Sequence, residues 1–81
     1  MTEIEGTPLR EVSSSMIAKV GYNAAKRHLF VEFKGSGRQG PSTWRYDEVQ
    51  PSDYSRLTAA ASIGKEFLGS IRGNFPAHKV S

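Results

Sequence analysis

The chain contains no cysteine, so neither a disulfide nor a thiolate metal site can brace it. That absence carries weight in 81 residues, because a core of this size rarely leaves more than about 3–5 kcal/mol of net stability. Histidine is nearly as scarce: His28 and His78 are the only two, far apart, and neither lies in a spacing that collects further ligands. No metal and no other cofactor is expected, whereas homo-oligomerisation stays open. Long apolar runs are missing as well. Nothing approaches the length that spans a bilayer, and Met1-Thr2-Glu3-Ile4-Glu5-Gly6 lacks the basic start and apolar stretch of a signal peptide. The expectation is a cytoplasmic protein with no membrane partner.

Acidic charge is also in short supply beyond the first eleven residues. Residues 1–11 hold Glu3, Glu5 and Glu11 against Arg10, which leaves ten bases and five acids in residues 12–81 of a chain whose overall charge is +3. Such a balance favours anionic partners, nucleic acid or nucleotides among them. Solubility alone accounts for a net charge of about 2–8 equally well.

What is present is pattern. Residues 1–11, with Gly6, Pro8 and no periodicity, read as a flexible or edge-lying arm, and residues 12–81 as a single domain. Met16, Ala18, Val20 and Tyr22 alternate with Lys19 and Gly21, the period of a half-buried strand, and Asn23 opens the turn that follows. From His28 to Lys34 the alternation is clearest. Leu29, Val31 and Phe33 share one face; His28, Phe30, Glu32 and Lys34 share the other. A loop from Gly35 to Pro41 then leads to a third strand, with Trp44 and Tyr46 on a common face and Arg45 opposite. After Val49 the period becomes helical: Pro51 suits a helix start, and Tyr54, Leu57, Thr58 and Ala61 fall on one side. Ser62 can cap a second helix carrying Ile63, Phe67 and Ile71, with Leu68 beside them, which ends at Gly73-Asn74 before Pro76. The predicted fold is α+β: a three-stranded antiparallel sheet, β-β-β, followed by two short helices packed on one face.

Val12-Ser13-Ser14-Ser15-Met16-Ile17, Gly21-Tyr22, Leu29-Val31-Phe33, Trp44-Arg45-Tyr46, Ser62-Ile63-Gly64-Lys65, Phe67 and Ile71-Arg72-Gly73-Asn74-Phe75-Pro76 occur in that order. This succession resembles the KTSC domain family from about Val12 to Val80. The family is named for an appendage of some lysyl-tRNA synthetases and also occurs as short free-standing proteins of bacteria and phages. The resemblance implies a small binding domain, with RNA binding suggested. Trp44-Arg45-Tyr46 replaces the family's Tyr-x-Tyr, Asn23 its usual aspartate, and Gln50 a common proline; the glycine-rich loop is longer than usual.

Gly35-Ser36-Gly37-Arg38-Gln39-Gly40 fits G-x-G-x-x-G, yet Pro41 and a strand follow it where a dinucleotide site needs a helix. It reads as a mobile hairpin loop in which Arg38 has at most a secondary contact. Ser62, Gly64 and Lys65 can be read as a phosphate cradle at a helix start, or as ordinary capping and helix packing. Trp44 and Tyr46 can stack bases, or fill the core. In the second case Arg45 points outward beside Lys19, His28, Phe30 and Lys34. Catalysis finds little support: no thiol nucleophile exists, and Asp47-Glu48 reads as solvated charge.

The expected function is a non-enzymatic binding module for RNA or single-stranded nucleic acid. Lys19, Lys34, Arg45, Lys65 and Arg72 would hold phosphates, and an exposed aromatic such as Phe30 would assist. An alternative is a free-standing phage or bacterial inhibitor of the counter-defence kind, binding a host protein or sequestering a nucleotide signal. A structural or assembly module is the third reading.

Overall fold

Alternation in β5 (His28–Phe33) sets the centre of the molecule, because every second side chain of an extended strand faces the same way. The computed structural model describes residues 3–35, 38 and 40–80. On one side of β5, β4 (Ile17–Asn23) pairs antiparallel with Val20 opposite Val31 and Tyr22 opposite Leu29. On the other side, β6 (Ser42–Tyr46) places Trp44 opposite Val31 and Tyr46 opposite Leu29. Directly paired residues share a face, so Val20, Leu29, Val31 and Tyr46 form one buried surface with Trp44 half-buried beside them.

The helices close that surface. The first, α1 (Pro51–Ala59), starts with Pro51 at a position whose N–H no helix uses, and the Asp53 carboxylate accepts the Gln50 N–H at 3.1 Å. It buries Leu57 and stacks Tyr54 on Tyr22 with ring centres 5.0 Å apart. The second, α2 (Ile63–Glu66), begins at Ser62 and runs into a π-helical turn, Phe67–Ile71, closed by the Arg72 N–H donating to the Phe67 carbonyl at 2.9 Å. Gly73 ends it at φ +82°, a conformation in which a Cβ would crowd the backbone.

The three-stranded sheet predicted from the sequence is replaced by a five-stranded antiparallel sheet and a separate two-stranded hairpin. The additional strands are only two or three residues long and carry no alternation that a sequence reading can detect. Past the helices, β7 (Ala77–Lys79) returns along β6, with Trp44 opposite Lys79 and Arg45 opposite His78. At the opposite edge, β3 (Arg10–Glu11) pairs with β4. Ahead of it, β1 (Glu3–Ile4) and β2 (Thr7–Pro8) form a hairpin turning through Glu5 and Gly6, both at positive φ.

The arm also covers the face away from the helices. An added Cβ on Gly21 would lie 2.4 Å from Leu9 Cδ2 and 2.6 Å from the Pro8 carbonyl oxygen, so the strand accepts the arm only because this position is glycine. Phe30 is Gly21's partner across the ladder and is 1% exposed. The exposed aromatic expected at Phe30 is thus a buried one. A second correction lies in β4, where a bulge between Ile17 and Lys19 inserts one residue. Ile17 therefore faces the core with Val20, a position that strict alternation had denied it. Ser36, Gly37 and Gln39 of the expected loop lie outside the described residues.

Candidate functional site

Trp44 and Tyr46 point toward the helices, as the core-filling reading requires, but the two rings differ in surroundings. Tyr46 is buried edge-on to Phe67, with ring centres 5.4 Å apart, whereas Trp44 is half-buried. Phe67 meets Phe33 in the same manner at 5.3 Å. Between this part of the sheet and the π-helical turn lies a groove of about 430 Å³, lined by Met16, Phe33, Trp44, Tyr46, Phe67, Leu68, Arg72, Gly73 and Ala77. Its position at a π-turn fits the frequent use of such turns at functional sites. Leu68, at 46% exposure, is the one exposed large apolar side chain among the described residues.

The charge in this groove is positive. Arg72 is its sole ionised lining residue, and burial raises the Tyr46 phenol pKa while the Arg72 charge offsets part of that rise. A second recess adjoins the first and is lined by Gly40, Pro41, Ser42, Trp44 and Lys79. Among the described residues no acid lines either one. Arg72 and Lys79 form no ion pair among the described residues, so both charges are available to a ligand.

The remaining candidate residues are distributed differently. A polar recess gathers Ser13, Ser14, Ser15, Lys34 and Ser62, and two of its hydroxyls, those of Ser14 and Ser62, serve the backbone. Ser14 Oγ accepts from the N–H groups of Met16 and Ile17, each at 3.2 Å; Ser62 Oγ accepts from Lys65 N–H at 3.4 Å; and Lys34 Nζ donates to the Ser14 carbonyl at 2.7 Å. Gly64 rests against Ser14 and Met16, and Lys65 is exposed. Ser62 thus caps the helix, and Gly64 packs where Ser14 and Met16 come close. On the other sheet face, Lys19 sits in register between Glu11 and Glu32.

Arg45 is likewise engaged. Its guanidinium donates from Nε and Nη2 to the two Asp47 oxygens at 2.7 and 3.3 Å and lies 3.5 Å from Glu5. Asp47 also meets His78 Nε2 at 3.2 Å and His28 Nε2 at 3.5 Å. Partial burial pushes the Asp47 carboxyl upward, but the hydrogen bond and charge of Arg45, with smaller contributions from His28 and His78, bring it below the usual carboxylate range. The solvated charge expected at Asp47 is instead the centre of an ion-pair cluster, 21% exposed, while Glu48 faces solvent. His28 Nδ1 is buried without a hydrogen-bond partner among the described residues.

Sequence reasoning thus found Trp44, Tyr46 and Arg72, which the fold brings together, and missed Phe33, Phe67, Leu68 and Lys79 as their neighbours. Helical periodicity had already exposed Phe67 and Leu68 as a pair, but Lys79 carried no signal because the β6–β7 pairing was not legible.

The fold and groove define a class: a small α+β domain whose antiparallel sheet is covered on one face by two short helices and carries an aromatic groove beside them. Within that class the chain belongs to the KTSC domain family, whose model matches residues 13–75. The crystal structure of a KTSC domain protein from Yersinia pestis superposes with a TM-score of 0.81 at 32% identity, covering 93% of this chain and 99% of that one. A protein of Tsukamurella paurometabola is 33% identical over 69 residues, which are 85% of this chain and 96% of its relative. Among the described residues, no helix is long and apolar enough to cross a membrane.

Proposed function

We propose that this protein is a non-enzymatic binding module for single-stranded nucleic acid, RNA foremost, that takes a base into the groove between β6 and the π-helical turn. The observation that carries this reading is the joining, among the described residues, of a half-buried tryptophan, an aromatic wall and an arginine without an ion-pair partner in one groove that no acid lines. Stacking on such side chains contributes about 1–3 kcal/mol per base and tolerates any sequence, and Arg72 supplies the charge a phosphate needs. Exposed Lys65 can extend that charge from the neighbouring helix. The outer sheet face is a poorer candidate, since Phe30 is covered and Arg45 is neutralised by Asp47 and Glu5.

Trp44 is the only tryptophan and so reports directly on the groove. Titration with a short RNA at about 50 mM salt is expected to change its fluorescence, and the affinity should fall steeply toward about 200 mM as counterions are released. Arg72→Glu is expected to abolish the change. Absence of binding to both RNA and single-stranded DNA at low salt would defeat the proposal.

Leu68 at the groove favours a second reading, in which an apolar side chain of a partner protein docks there, as in an inhibitor of the counter-defence kind. Binding would then be nearly insensitive to salt and lost in Leu68→Asp.

A further inference from the structure

The geometry points to a ligand of at least two linked nucleotides, held by two subsites that share Trp44, with Arg72 serving one and Lys79 the other. This inference rests on the nucleic-acid reading of the groove and deepens it. Along β6, Ser42, Trp44 and Tyr46 face the same way, and across the ladder Lys79 stands opposite Trp44 and Ala77 opposite Tyr46. Tyr46 and Ala77 line the groove with Arg72, which also reaches Phe33 on β5, whereas Ser42 and Lys79 line the recess at the β7 edge. Trp44 contributes surface to both.

Ser42 and Tyr46 are four residues apart, or about 13 Å of extended strand. Rings packed on either side of one indole, at centre distances of about 4.5–7 Å each, span a similar length. The two cations are placed one in each recess, and among the described residues neither is ion-paired. A mononucleotide would use Arg72 and leave Lys79 idle, whereas a chain that continues past the indole meets Lys79 with its next phosphate.

The experiment compares a nucleoside monophosphate, the matching dinucleotide and an octamer RNA by Trp44 fluorescence, in the full chain and in its Lys79→Glu and Lys79→Gln variants. Lys79 is exposed on an edge strand, so both variants should keep the wild-type melting curve, which is measured alongside. The dinucleotide is expected to bind about tenfold more tightly than the monophosphate, the gain of one stacked base and one phosphate contact. Lys79→Glu should remove most of that gain and, with Lys79→Gln, lower the salt slope of octamer binding by about 0.7 while leaving the monophosphate within twofold. Equal affinity for monophosphate and octamer, or octamer binding indifferent to both Lys79 variants, overturns the two-subsite inference and leaves the groove reading intact. If none of the three ligands binds, the groove reading itself fails.

Discussion

Single residues set two constraints that reach well beyond their own volume. Gly21 is one, because Leu9 and the Pro8 carbonyl occupy the space a Cβ would take. Gly21→Ala is expected to cost about 1–3 kcal/mol in urea unfolding, as overpacking does. Adding Leu9→Ala should not restore the loss, since the Pro8 carbonyl is backbone and cannot swing away; full recovery in the double variant would show that the contact is side-chain packing alone. Asp47 is the other. Its carboxyl is held below the usual range in the folded state, mainly by Arg45, so its stabilisation is complete above the unfolded value near 3.9 and is lost as pH falls through the folded value. Asp47→Asn is expected to cost on the order of 1–3 kcal/mol at pH 7 and to flatten the decline of stability below about pH 4. Denaturant melts across that range check it, and an unchanged acid limb would remove Asp47 as its source.

At the scale of elements, the π-helical turn both completes the core and walls the groove. Phe67 is buried against Phe33 and Tyr46, while the next residue, Leu68, is exposed at the groove. Phe67→Ala should therefore lower stability by about 3–5 kcal/mol. Leu68→Asp should change it by no more than about 0.5 kcal/mol, as surface substitutions do. Thermal unfolding of the two variants separates these outcomes; similar losses in both would mean that the turn packs as one unit. The strands show why elements differ in legibility. β5 is long enough for Leu29, Val31 and Phe33 to display a period of two, but Arg10-Glu11 and Ala77-His78-Lys79 are polar or exposed throughout. Such edges owe their pairing to a neighbour with unsatisfied backbone groups rather than to any pattern of their own.

For the whole molecule, the basic balance beyond residue 11 has a specific distribution. Arg45 is paired with Asp47 and Glu5, Lys34 is tied to a backbone carbonyl, and Arg56 faces Asp53, while Arg72 and Lys79 form no ion pair among the described residues beside the aromatic groove. If those two provide the phosphate contacts, the logarithm of the RNA affinity should fall with the logarithm of salt at a slope of about −1.4, twice the single-strand value of about −0.7 per contact. Arg45→Gln should leave that slope unchanged. A slope near zero, or one that follows Arg45, would place the interface elsewhere.

By itself the sequence determined the three long strands and the two helices, because their side chains repeat at periods of two or about 3.6 and those periods survive without knowledge of neighbours. It also marked the succession of residues from Val12 to Val80 as that of a KTSC domain, and it paired Trp44 with Tyr46 on one face. Only the tertiary structure decided which face that was, that Phe30 lies beneath the arm, and that Arg72 and Lys79 flank the same tryptophan. Each of these depends on contacts between segments far apart in the chain: the arm on Gly21, β7 on β6, and the π-turn against the sheet. Local periodicity encodes which side chains share a face, but not what covers it.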